Sequence, residues 1–146
     1  MPDSAIPRSF VIDASVASKL HFFEAGTDEA GAAVRGADRI IAPELLYLEM
    51  ANIAAKKARR GTSSREEATR AVNAIGALLE KAVSLSELAP RAFELAVTHG
   101  FSAYDGAYLA LAELSDLPLL TADLKLARLA RQVGLGDLVQ TLEGGS

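Results

Sequence analysis

Phe101 to Asp123 reads FSAYDGAYLALAELSDLPLLTAD, and the breaks on either side of its helical pattern decide the fold. Ser102 is followed three residues later by Asp105, the spacing of a capping box. In that motif the hydroxyl takes a backbone N–H at the helix start and the acid reaches back. Tyr104, Ala107, Tyr108 and Leu111 then recur at helical spacing, with Leu114 one turn on, until Pro118 breaks the pattern. Leu119 and Leu120 form a short apolar run that ends at Thr121-Ala122-Asp123. One acid therefore lies in the first turn of a helix and another just past a buried strand. The carboxyl ends of strands are where parallel α/β sheets bind ligands.

Outward from this stretch the same alternation repeats. Upstream, Phe10-Val11-Ile12 is a β-rich run ending at Asp13-Ala14-Ser15, and Val16, Ala17 and Leu20 start a helix that fades towards Gly26. A further helix over 28–35 stops at Gly36, and Arg39-Ile40-Ile41-Ala42 is a second strand. Pro43 suits the first turn of the next helix, where its missing N–H is no loss. That helix carries Leu45, Leu46, Leu48, Met50, Ile53 and Ala54 and ends in the basic run Lys56-Lys57-Ala58-Arg59-Arg60-Gly61. Thr62-Ser63-Ser64 with Glu66 and Glu67 caps another helix, striped by Ala68, Ala71, Val72, Ile75, Leu78 and Leu79. A third strand is expected at 83–85 and a helix over 86–98, closed by His99-Gly100. Downstream, Leu126, Leu129, Ala130 and Val133 mark a helix, and a weak strand is expected over 138–141. Short apolar strands alternating with helices predict an α/β fold with a parallel sheet covered on both faces. Residues 1–146 read as one domain, with 1–9 an irregular lead-in and 143–146 a flexible end.

Bulk properties narrow the chemistry. The 146 residues are half hydrophobic, enough for a sizeable core. The chain has no cysteine, so disulfides and thiolate-bound zinc or iron–sulfur sites are excluded, and a cytoplasmic location is expected. No basic-then-apolar leader and no apolar run of membrane-spanning length is evident, so no membrane partner is expected. A net charge of −4 argues against nonspecific coating of nucleic acid. It leaves room for a local basic patch beside an acidic, cation-filled site.

Four acids stand out. Asp13 and Asp123 end strands, and each alone has a plainer role as a helix cap, as does Asp105. Glu49 lies four residues after Leu45 and four before Ile53, on or beside the apolar stripe, where an acid is costly unless a partner holds its charge; alone it reads equally as a flank residue whose carboxylate snorkels to solvent. Asn52 projects beside it. If the two strands are neighbours, all four carboxylates meet at one edge and raise each other's pKa. The usual remedy is a hard divalent cation with oxygen ligands, Mg²⁺ or Mn²⁺. His21 and His99 are the only histidines and read as bystanders.

VIDASV at 11–16, PELLYLEMANI at 43–53, SAYDGAYLALAE at 102–113 and LLTADLKLARLA at 119–130 together resemble the PIN-domain ribonucleases. Within that family the chain most resembles the toxin half of VapBC-type toxin–antitoxin pairs. The resemblance implies a three-layer α/β/α domain and Mg²⁺- or Mn²⁺-dependent cleavage of single-stranded or loop RNA. It matches Asp13, Glu49, Asp105 and Asp123 to the family's acidic positions, with Ser15, Asn52 and Thr121 as polar companions. A cognate antitoxin that blocks the site and a homodimer are further implications. Asp13 and Asp105 are read as metal ligands, with Glu49 and Asp123 binding through water or orienting the attacking water. With no Ser–His–acid or Cys–His arrangement, no covalent nucleophile is expected.

Two other classes stay open at this point. One is a phosphotransfer domain, although the Asp-x-Asp of one phosphatase class, the receiver-domain pattern and a Walker loop are all missing. The other is a non-catalytic module whose acidic pocket receives an arginine from a partner. Lys56, Lys57, Arg59, Arg60 and Arg65 are candidate RNA contacts, against a plainer reading as solvated cations at a helix C-terminus. Leu20, Phe22 and Phe23 are candidates for an antitoxin groove, against core packing.

Overall fold

Each short apolar run becomes a strand because both its faces are covered, so alternate residues enter different cores. The computed structural model describes residues 6–142. Its first half contains β1 (Ser9–Ile12), α1 (Ala14–His21), α2 (Thr27–Arg35), β2 (Arg39–Pro43), α3 (Leu45–Arg60) and α4 (Arg65–Leu78). Its second half contains β3 (Lys81–Val83), α5 (Leu85–His99), α6 (Ala103–Ser115), β4 (Leu119–Thr121), α7 (Leu124–Gln132) and β5 (Val139–Thr141), with a 3-10 turn at Gly136–Leu138. Phe10, Ile12, Ile40, Ala42 and Leu120 point into one core with Val16, Leu46, Met50 and Ile75. Val11, Ile41 and Leu119 point into the other with Leu88, Leu95, Leu109, Leu111 and Leu126. This period-two division makes the fold a three-layer α/β/α sandwich.

The sheet is five-stranded in the order β3-β2-β1-β4-β5, and every neighbouring pair is parallel. The chain builds outwards from β1 through β2 to β3, then crosses back to lay β4 and β5 on the other side. The order reverses between β1 and β4, where Ile12 is in register with Leu120. Such a reversal opens a crevice at the carboxyl ends of the two strands. Asp13 follows β1 and Asp123 follows β4, so both border that crevice.

The helix α6 is apolar nearly all round and buried to match: Gly106 through Ala112 are all buried. It lies tight against α5. A Cβ on Gly106 would meet the backbone oxygen of Ala92 at 2.8 Å and its Cα at 3.1 Å, so only glycine lets the two backbones come this close. Arg91 on α5 holds Glu113 on α6 through two bonds of 2.7 and 3.0 Å.

Several sequence expectations are corrected. Pro43 is the last residue of β2, paired with Val83, and α3 begins only at Leu45. A proline is tolerated there because it ends the strand and needs no further ladder donor. The third strand is 81–83 rather than 83–85, because Ser84 and Leu85 open α5. Ser9, placed in the lead-in, already belongs to β1. The rest of the lead-in through residue 5, and 143–146, lie outside the described residues. Tyr104, Leu114 and Leu48 follow the helical spacing but are 65%, 69% and 71% exposed. Leu48 and Tyr104 instead line an open groove with Leu45, Glu49, Ala51 and Asn52. Of the groove candidates, Phe22 is core, Leu20 packs against it, and Phe23 is 94% exposed.

Candidate acidic site at the carboxyl edge of the sheet

Asp13 is built in from both sides. Its Oδ1 accepts the Val16 N–H at 3.2 Å and the Ser15 hydroxyl at 2.6 Å, and its Oδ2 accepts the Thr121 hydroxyl at 2.5 Å. The first bond makes it the N-cap of α1. The same two hydroxyls accept in turn: Ser15 Oγ takes the Ala122 N–H at 2.8 Å, and Thr121 Oγ1 takes the Asp123 N–H at 3.0 Å. The turn after β1 is thus stitched to the turn after β4. Burial pushes the Asp13 carboxyl up to about 6; the three donated bonds resist this, and the charge of Asp123 adds to it.

Asp123 caps α7, its Oδ1 taking the N–H groups of Lys125 and Leu126 at 3.0 and 3.1 Å. Asp105 sits in the first turn of α6. There the expected capping box is only half formed. Ser102 Oγ accepts the Asp105 N–H at 3.0 Å, whereas the full reciprocal box is seen at Ser64 and Glu67. The Asp105 carboxylate therefore does not carry the cap. Burial raises its pKa first, the charge of Asp123 raises it further, and the Ser102 hydroxyl opposes both.

Glu49 reaches the same edge from α3 and is half-buried. The Tyr108 hydroxyl, on α6, donates to its Oε1 at 2.6 Å. Burial raises the Glu49 pKa, the Tyr108 bond opposes that rise, and the charge of Asp105 adds to it. Burial, then Glu49 itself, drives the Tyr108 phenol well above the ordinary tyrosine value, with Asp13 and Asp105 adding to the rise. Asn52, one turn beyond Glu49, is exposed and shares with it a groove of about 540 Å³ lined also by Leu45, Leu48, Ala51 and Tyr104.

The four acids form a chain of mutual repulsion. Asp123 raises Asp13 and Asp105, and Asp105 raises Glu49. Among the described residues no lysine or arginine forms an ion pair with any of them. Nor do three or more acidic, histidine or cysteine side chains stand in position to hold a metal ion. The acids share a field rather than a closed coordination shell, because Asp13, Asp123 and Glu49 are each turned towards protein donors. All the donor atoms are hard oxygens, the set that suits Mg²⁺ or Mn²⁺. Neither His21, at the end of α1, nor His99, edge-on to Phe101 at 6.2 Å, enters these hydrogen bonds.

The basic run on α3 divides. Lys56, Arg59 and Arg60 are exposed, and Arg59 lines a second groove with Arg65 between α3 and α4. Lys57 is tied down instead. Its ammonium lies 5.1 Å from the Phe22 ring centre and 3.5 Å from Glu24, so it fixes the α1–α2 loop and is not a free contact. Tyr108 is the residue that sequence reasoning missed, having placed it only on an apolar stripe. The signal was available: a tyrosine on a buried helix needs a partner for its hydroxyl, and this one follows Asp105 by three residues.

Residues 10–132 match the model of the PIN domain. The chain is 37% identical over 119 residues to the ribonuclease VapC3 of Pyrobaculum aerophilum, covering 80% of this chain and 91% of that protein. Its fold matches the crystal structure of PAE2754 from Pyrobaculum aerophilum with a TM-score of 0.67, over 92% of this chain and 84% of that one, at 23% identity. A parallel sheet with acids gathered at its reversal point, a family match over most of the length and a relative this similar agree on one assignment: the chain belongs to the PIN-domain family.

Proposed function

We propose that this protein is a divalent-metal-dependent endoribonuclease, the toxin of a toxin–antitoxin pair. The observation that carries the reading is the set of four carboxylates at the strand-order reversal, mutually repelling and, among the described residues, without a basic partner. Support comes from the relative named a ribonuclease, VapC3. Such a cluster lowers stability at neutral pH, and a cation or a partner's positive group that shares the site relieves that cost. Asp13 and Asp105 are the proposed direct ligands of Mg²⁺ or Mn²⁺, with Glu49 and Asp123 acting directly or through water.

When bound, the metal supplies a water of lowered pKa and charge neutralisation for an in-line displacement at phosphorus. The chain's own residues do the rest. Ser15 and Thr121 hold both oxygens of Asp13 in one orientation, so little reorganisation is needed as charge develops. Asp123, its Oδ1 fixed by the N-terminus of α7, holds negative charge beside Asp13 and Asp105. Lys56, Arg59 and Arg60, two to three helical turns beyond Glu49, attract the phosphate backbone towards the acids.

A cognate antitoxin that covers the site and a homodimeric assembly belong to the same reading. Among the described residues no helix is long and apolar enough to cross a membrane. The test is cleavage of a structured RNA by the purified chain with Mg²⁺ or Mn²⁺, read by mapping the new 5′ ends. Cleavage that stops with chelator and returns with metal is the expected result. A chain that binds a partner through this edge yet cuts no RNA under any metal would instead be a binding module.

A further inference from the structure

We propose that Tyr108 is a positioning residue for Glu49, its phenol holding one carboxylate oxygen so that the other faces the groove. The inference rests on the metal-nuclease reading above and goes beyond it. The two residues come from different helices, Glu49 from α3 and Tyr108 from α6, and Leu45, one turn before Glu49, shares a core cluster with Tyr108. Their contact, made across the carboxyl edge of the sheet, spans 59 residues of sequence.

A phenylalanine at 108 would fill the same ring space and ask for no partner. The hydroxyl is therefore not needed for packing. What it does is donate to Glu49 Oε1 at 2.6 Å, from the middle of the buried stretch Gly106 to Ala112, which is otherwise apolar. Among the described residues Oε1 has this one hydrogen-bond donor and Oε2 has none. The carboxylate is thus pinned at one oxygen and free at the other, on the wall of the groove that also holds Asn52 and Tyr104. Two consequences follow. Glu49 is presented through Oε2 as a single-oxygen ligand or water acceptor, and its long side chain loses the freedom to swing into solvent. Tyr108 is 3% exposed, so it has no surface with which to touch RNA. Its influence on the reaction runs through Glu49.

The test uses the full chain and Mn²⁺ alone as the probe. Tyr108→Phe should weaken the Mn²⁺ dissociation constant by calorimetry, and lower kcat on RNA, by roughly 10- to 100-fold, the usual range for a partner that orients a metal ligand. The KM for RNA should stay within about twofold. A merely structural tyrosine would lower the melting temperature equally with and without Mn²⁺; a positioning one shrinks the Mn²⁺-induced rise itself. In a Glu49→Ala background the same substitution should have no further effect on Mn²⁺ affinity, because the group it acts through has gone. An unchanged Mn²⁺ constant and kcat in Tyr108→Phe overturns the proposal, as does an equal loss with Glu49 absent.

A measurement on the wild type covers the case in which the variant does not fold. The chain has three tyrosines, so ring-carbon-labelled tyrosine gives three resonances beside the hydroxyl. That of Tyr108 should move on adding Mg²⁺, and no movement at saturation overturns the assignment. If wild type neither binds Mn²⁺ nor cuts RNA, the nuclease reading has failed and this inference with it. Loss confined to the tests on Tyr108 leaves that reading standing.

Discussion

The acidic edge has two unlike halves. Asp13 and Asp123 stand just after strands, and their oxygens receive between them five donated bonds from hydroxyls and backbone N–H groups. Glu49 and Asp105 are carried by helices, and among the described residues Glu49 has a single donor, on a different helix. The strand half is set by the sheet register, which allows almost no adjustment. The helix half is set by how α3 and α6 pack, which depends on close contacts elsewhere. The acidic edge is thus divided into a fixed wall and one whose placement is inherited from the core.

The sharpest test of that division is substitution of one acid from each half. Asp13→Asn and Asp105→Asn should each lower kcat roughly a thousandfold or more, since several kcal/mol of charge stabilisation are removed. Asp105→Asn should fold normally by circular dichroism, because the cap at Ser102 uses the Asp105 backbone N–H and not its carboxylate. Residual activity within tenfold of wild type in either variant would remove that acid from the site.

The inherited placement of the helix half can be broken without touching an acid. Gly106→Ala puts a Cβ 2.8 Å from the Ala92 oxygen, so α5 and α6 must separate. We expect a loss of about 1–3 kcal/mol of stability by denaturant titration, and a lowered kcat through the neighbouring Asp105. Lost stability with unchanged kcat would show that the helix half tolerates movement.

On the fixed wall, Thr121→Val removes the donor to a fully buried oxygen contact and should cost about 1–3 kcal/mol. Ser102→Ala, at an exposed cap on the other half, should cost about 1 kcal/mol. Equal losses would erase the distinction drawn between the halves.

The pH dependence sharpens it further. Asp13 has a folded pKa of about 6 against an ordinary 3.8, so the folded state binds its proton more tightly than the unfolded chain. Its contribution is fully favourable below the ordinary value and is lost as pH rises through about 6. With metal chelated, wild type relative to Asp13→Asn should therefore gain about 1 kcal/mol as pH falls from about 7 to about 5. Asp105 and Glu49 are raised in the same direction, so Asp105→Asn should give a difference of the same sign. No change in either variant would mean that the edge is already neutralised by the protein. The smallest effect is expected at the basic run. Lys56→Ala with Arg60→Ala should weaken RNA binding severalfold and flatten its salt dependence, while Lys57→Ala should loosen the α1–α2 loop instead.

Much of this protein was legible in its residues taken in order. Helix and strand periods, a cap somewhere in Thr62-Ser63-Ser64 with Glu66 and Glu67, and an acid beside the apolar stripe of α3 are local properties, decided within three or four residues by backbone geometry. Those patterns yield the α/β alternation and name the four acids. What they do not contain is the strand order, which puts β1 beside β4 and so brings Asp13 to Thr121 across 108 residues. Nor do they contain the Tyr108–Glu49 bond or the capture of Lys57 by Glu24 and Phe22. Such pairings have no period to read, because they are chosen only when the two layers close on the sheet and each buried polar group must find whichever partner lies within reach.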